Sequence, residues 1–401
     1  MSQNFDSLLI FNPYHFKQKP VIIEKSKEGN YMNRKFGQFI IAILSIIIGA
    51  LAAVAGIMCL QEIYDPWTDN SSYCLMMLVI VIFIYLALFI QVIIHECGHM
   101  IFGLLSGYQF LSIRIGPFML LKENDQIHLK LYSVTGTAGQ CLLICPELKD
   151  GRLPYFFYHA GGCLLNIITA IPFILIALHL SQHAYWQCFL WCLGISGVGS
   201  ALMNGIPLKT TAINNDGWNI LLLKKYPQAH LAVYIQMKVN EYLCRGYRIK
   251  DLPDRLFAAP EDKDLSIELC FFQAMLLENR ALDQHDDDLT MQWIDRLLAI
   301  PHISPVFEHS LINDAIYIHL LHQEYDQAQA LMTKKHLKYR KTLQRNSSFL
   351  RTQYAYEKLI THNEKKAARC LKTFEKTAKN HPYAGDIISE RELIERLDIQ
   401  L

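Results

Sequence analysis

Gln91-Val-Ile-Ile-His95-Glu96-Cys97-Gly98-His99-Met100 closes a long apolar run and decides how the rest of the chain is read. It contains His-Glu-x-x-His at 95–99. Residues four apart on a helix share one face about a turn apart, so both imidazoles can reach one metal ion. That spacing suits zinc. Glu96, beside the first imidazole, has the place of a general base toward a water that the metal acidifies. The alternative is a structural or degenerate site. Against it stands the setting: Tyr73 to Ile94 is almost wholly apolar, and two histidines and a glutamate at the end of a membrane span are costly unless they perform a function. Cys97, at a variable position of the motif, reads as packing.

The 401 residues are 52% hydrophobic, with the apolar content crowded into residues 36–205 and an ordinary composition after it. A net charge of +1 leaves no basic footprint, which argues against a nucleic-acid partner. Eleven cysteines, an odd number without paired Cys-x-x-Cys sets, argue against a disulfide framework or a cysteine-rich zinc site.

Four runs, approximately 37–60, 73–105, 155–180 and 185–205, reach the roughly 20 residues a helix needs to cross a bilayer. The second is too long for a simple crossing, so its last turns are expected at the interface or inside a protein cavity. Residues 1–35 read as a retained cytoplasmic segment rather than a cleaved signal peptide, because the first apolar run begins only at Phe36 and lacks a small-residue cleavage site. Lys17, Lys19, Lys25, Lys27, Arg34 and Lys35 precede the first span, whereas Glu62, Asp65 and Asp69 follow it without a base. The positive-inside rule then places the N-terminus, the 106–154 loop and everything after residue 206 in the cytoplasm.

Within that loop Ser112–Gly116 and Ile127–Tyr132 alternate in polarity about the turn 122–126, which predicts a small β-hairpin on the cytoplasmic side. Its open edge could pair with an extended peptide, or the hairpin could simply cap the cavity. Gly136-Thr-Ala-Gly139-Gln140 reads as a tight re-entrant bend. Gly161-Gly162-Cys163-Leu164-Leu165-Asn166 puts an amide inside an apolar helix, either for function or as hydrogen-bonding glue between helices. Met203-Asn204-Gly205-Ile206-Pro207 ends the fourth span, and Asn214-Asn215-Asp216-Gly217 follows at the same membrane face. Asp216 there is a hard oxygen donor in a turn. From about Tyr226 the pattern is that of paired amphipathic helices, an all-α soluble domain over 226–401 of tetratricopeptide-like character.

These residues resemble the site-2 protease family, the intramembrane zinc metalloproteases. The resemblance covers about 73–220 and rests on three ordered elements: His95–His99, the Gly-x-x-x-Asn of Gly162 to Asn166, and the Asn-x-x-Pro…Asp-Gly of Asn204, Pro207, Asp216 and Gly217. Cys163 stands where the family usually has proline, and the interval from Pro207 to Asp216 is longer than its commonest form. No outer loop could hold a PDZ domain, as in compact bacterial members with a cytoplasmic C-terminal domain.

The resemblance implies a multi-pass plasma-membrane endopeptidase, with residues 36–220 as the protease domain and 73–220 as its core. His95, His99 and Asp216 would hold zinc, Glu96 would be the base, and Asn166 and Asn204 would bind the substrate backbone or the oxyanion. The substrate would be a membrane-embedded protein or peptide; apart from the resemblance, which does not reach 226–401, the helical domain is a candidate site for a cytoplasmic protein partner. On the cytoplasmic side the loop acids Glu123, Asp125, Glu147 and Asp150 compete with Asp216 as third ligand, Glu147 first among them. Two rival readings stand beside this one. One is a non-enzymatic membrane adaptor with a vestigial metal site; the other is a gluzincin-type protease with a downstream glutamate ligand.

Overall fold

Leucine, isoleucine, valine and phenylalanine dominate four helices in the computed structural model, each long and apolar enough to cross a membrane. They are α1 (Arg34–Leu60), α2 (Asn70–Leu105), α3 (Tyr155–His179) and α4 (Ala184–Gly205). The structure describes residues 34–64, 70–123, 126–132, 137–208, 214–301 and 303–399. Lys17, Lys19, Lys25 and Lys27, the side chains of Arg34 and Lys35, and Asp65, Asp69, Asp125 and Gly136 therefore lie outside the described residues. Ile46, Leu51 and Met58 of α1, Leu78, Tyr85 and Phe89 of α2, and Ile168, Leu175 and Leu178 of α3 are exposed on the protein surface. An apolar belt of that extent is what a bilayer covers.

Glycine brings the helices together. A Cβ on Gly98 would lie 2.3 Å from the carbonyl oxygen of Gly161, and one on Gly161 2.5 Å from that of Gly98. Helices α2 and α3 thus cross with their backbones in contact, the small-residue mode of membrane helix packing.

Between α2 and α3 the chain forms a four-stranded antiparallel sheet, ordered β3-β2-β1-β4, rather than the single hairpin expected. The strands are β1 (Gln109–Ile115), β2 (Phe118–Glu123), β3 (Gln126–Leu131) and β4 (Gly139–Ile144). The two alternating stretches do not pair with each other: β2 lies between them, joined to β1 through the turn at Gly116, whose φ of 54° is left-handed. Gly139 and Gln140, expected in a re-entrant bend, open β4, with Gly139 paired to Ile115. One face of the β2–β3 hairpin exposes Phe118, Leu120, Ile127, Leu129 and Leu131, while Met119 and Leu121 face inward.

After α4 the chain is helical. It runs through α5 (Asp216–Lys225), α6 (Gln228–Cys244), α7 (Glu268–Asp283), α8 (Asp287–Leu298), α9 (Pro305–Leu321), α10 (Tyr325–Leu331) and α11 (Lys334–Arg340) to α12 (Ser347–Leu359), α13 (Glu364–Ala378) and α14 (Ala384–Ile399). Three helical hairpins, α7–α8, α9–α10 and α12–α13, turn at His285, Gln323 and His362, each in the left-handed region at nearly even spacing. Asp286 and Asn363 cap the helices that follow two of these turns, so a non-glycine turn is supported by the hydrogen bonds of its neighbour.

The start of this region shares a core with the sheet. Ala229, Ala232, Val233 and Met237 of α6 bury against Tyr108, Cys141, Leu143 and Cys145, and Cys244 packs on Leu111, Met119 and Leu121. Residues 226–401 expressed alone would expose that apolar face, and they are expected to self-associate in light scattering. A monodisperse monomer would show that the face does not need the sheet.

Candidate metal centre

Helix α2 puts His95 and His99 on one face, as the four-residue spacing requires, and α5 brings Asp216 to meet them. Asp216 Oδ2 lies 3.1 Å from His95 Nε2 and 3.4 Å from His99 Nε2, and the two Nε2 atoms are 3.1 Å apart. A tetrahedral zinc with nitrogen and oxygen ligands at about 2.0–2.2 Å holds its ligand atoms roughly 3.3–3.5 Å from one another. The three donors therefore fit one zinc ion.

Their outward sides are already committed. His95 Nδ1 donates to Asn166 Oδ1 at 2.7 Å, and His99 Nδ1 donates to the Tyr158 carbonyl at 2.8 Å. An oxygen that can only accept fixes the proton on Nδ1 and leaves the Nε2 lone pair of each ring turned inward, the arrangement metal-binding histidines use. Asn166 in turn donates from Nδ2 to the side-chain oxygen of Gln91 at 2.7 Å and to its backbone carbonyl at 3.1 Å, while Gln91 donates to the Leu193 carbonyl at 2.9 Å. Asn166 and Gln91 are both fully buried. The Asn166 amide is thus spent on His95 and Gln91. It orients His95 and joins α2 to α3. Gly162 belongs to the same seat, since a Cβ there would fall 2.5 Å from the His95 ring.

The long interval after Pro207 is bridged by Asn215. Its side chain donates to the carbonyls of Met203 at 2.9 Å and Ile206 at 2.6 Å, and accepts from Leu208 N and, as the cap of α5, from Trp218 N. Asp216 opens that helix, where a carboxylate is favoured by the helix dipole. Gly217 lets α5 approach α4: a Cβ would lie 2.2 Å from the Gly205 carbonyl oxygen. Asn204 is turned back on its own helix, donating to the Ser200 carbonyl at 3.0 Å.

Among the competing loop acids, Glu123 is paired with Lys130, and Glu147 accepts from the Tyr234 hydroxyl at 2.6 Å and sits 3.3 Å from Lys238 Nζ. Cys163, the departure from the family's proline, places its thiol within 4.8 Å of donor atoms of both His95 and Asp216.

Glu96, buried, is seated against the first residue of β4: a Cβ on Gly139 would come within 2.4 Å of Glu96 Oε1. Arg114 of β1, also buried, holds that strand end, donating to the carbonyls of Gly116 at 2.8 Å and Gly139 at 3.3 Å, within electrostatic range of Glu96. The sequence reading missed Gln91, Tyr158, Arg114, Gly139 and Asn215 as parts of the site. Gln91 carried a signal, being a lone amide one turn before His95 in an apolar run.

Comparison with protein-family models, with curated proteins and with solved structures returns no match.

Proposed function

We propose that the chain is an intramembrane zinc endopeptidase of the site-2 protease type, cutting a membrane-spanning or membrane-associated peptide at the cytoplasmic end of α2. One observation carries this reading: three donor atoms 3.1–3.4 Å from one another, with both Nδ1 hydrogens committed elsewhere and a buried glutamate adjacent in sequence. His95, His99 and Asp216 would hold zinc, which when bound supplies a Lewis acid that acidifies water and polarises the scissile carbonyl. Glu96 takes the proton of the attacking water and gives it to the departing amine. Arg114 and Gly139 fix the wall against which Glu96 sits, and Asn166 keeps His95 in its tautomer.

A substrate helix must be drawn out before its amide is accessible, and β4, whose first residue Gly139 lies against Glu96 and which is paired on one side only among the described strands, offers an edge for an extended peptide. The lysine and arginine bias supports cytoplasmic N- and C-termini, with Lys224 and Lys225 ending α5 on that side. The same proposal takes the three helical hairpins as tetratricopeptide-like and as the seat of a cytoplasmic protein partner.

The test has two parts. The protein purified in detergent is expected to hold one zinc per chain by elemental analysis. Co-expressed with single-span reporter proteins, it is expected to release their cytoplasmic part only when Glu96 is intact. A metal-free protein that releases nothing is the result that would leave the adaptor reading standing.

A further inference from the structure

A cavity of about 150 Å³ lies between β4, the start of α3, α5 and α6. It shares walls with the metal centre: Tyr158, whose carbonyl accepts from His99, lines it, and so does Asn219, about one turn after Asp216 on α5. Its other walls are mainly apolar, with Leu143, Val233 and Met237 among them, and no charged side chain faces it.

Four polar side chains do face it: His159, Asn219, Gln236 and Asn240. None of the four makes a side-chain hydrogen bond among the described residues, and His159 Nε2 is buried without a partner. His159 Nε2 is shut off from water, whereas the amides of Asn219, Gln236 and Asn240 are half-buried and can still reach it, so an occupant that displaces that water has to pair with all four. An aliphatic occupant would leave donors and acceptors unmet. A charged occupant would enter without a counter-ion. A carboxamide both donates and accepts, and so complements three carboxamides and an imidazole.

We infer that this cavity is a substrate subsite taking a neutral hydrogen-bonding side chain, asparagine or glutamine, next to the scissile bond. The inference rests on the protease reading and adds to it a sequence preference that the metal centre alone does not give. Gln236 and Asn240 on α6 are specificity-determining residues in this assignment, which gives the first helix after the membrane core a part in choosing the substrate.

The experiment uses full-length protein co-expressed with a library of single-span reporters randomised around the cytoplasmic end of the span, with cut sites mapped by mass spectrometry. Wild type is expected to enrich asparagine or glutamine over lysine, aspartate and leucine by about tenfold or more at one position relative to the cut. Asn240→Leu and Gln236→Leu should move that position toward leucine. Asn240→Asp, of nearly the same shape, should admit lysine and arginine there, a gain that misfolding cannot imitate; zinc content and elution volume are checked against wild type. Glu96-dependent release with no preference at any position, or with a preference these variants leave unchanged, overturns the subsite and leaves the protease reading intact, the cavity then holding water only. No Glu96-dependent release from any reporter overturns both.

Discussion

Glu96→Gln should lower peptide-bond hydrolysis by a factor on the order of 100 or more while zinc remains bound. Glutamine keeps the length of the side chain and its capacity to hydrogen-bond but cannot take a proton. It also fits the same seat, because the space around Glu96 is set by Gly139, whose missing Cβ leaves just the room the carboxylate occupies. Glu96 is not one of the three donor atoms, so zinc content should match wild type and the loss should appear in kcat rather than in KM. Gly139→Ala approaches the same carboxylate from the other side. With a methyl placed 2.4 Å from Oε1, it should depress hydrolysis in the same direction by displacing the base. Wild-type turnover by Glu96→Gln would remove the proposed base from the mechanism.

Asp216→Ala should lower zinc affinity by at least about 100-fold and abolish activity with it. The reason is geometric: the two imidazoles supply two of the three protein ligands a catalytic zinc ordinarily has, and Asp216 Oδ2 completes the triangle. The expected loss exceeds the roughly 10–100-fold typical of removing a group that only orients a ligand. Asp216→Glu, one methylene longer, should keep part of the metal and less of the activity. Gly217→Ala leaves all three donors in place yet sets a methyl 2.2 Å from the Gly205 carbonyl oxygen, so it should reduce zinc occupancy by pushing α5 away from α4. Stoichiometric, tightly held zinc in Asp216→Ala would reject Asp216 as a ligand. Cys163 would be the next donor to remove, in preference to Glu147, which is engaged with Tyr234 and Lys238.

The four spans were legible within a few residues because the cost of placing a side chain in hydrocarbon is paid residue by residue and needs no partner. The sheet was only half legible. β1 and β3 alternate in polarity, whereas Phe118-Met119-Leu120-Leu121 of β2 and Cys141-Leu142-Leu143 of β4 are apolar on both faces and carry no period to read. At the site, the two histidines followed from helical geometry alone. The use made of Asn166 did not, since its partners Gln91 and His95 lie on another helix some seventy residues earlier. The cost of an amide in that position was visible in the sequence, but what relieves the cost was not. Asn215 was equally hidden: Asn-Asn-Asp-Gly reads as a turn, and only the fold shows one of its amides clasping the end of α4.

The backbone contact between Gly98 and Gly161 has a mechanical consequence. Two helices that touch carbonyl to Cα cannot slide or roll past each other without collision, and this contact sits between His95 and His99 on one helix and five residues before Asn166 on the other. The Gly217 contact restrains α5 against the end of α4 in the same way. The helices that carry His95, His99, Asn166 and Asp216 are held against one another by these backbone contacts. If the proposed proteolysis holds, an opening that admits a second chain would fall at the seams around these contacts, against α1 or along β4, rather than between the two histidines and Asp216.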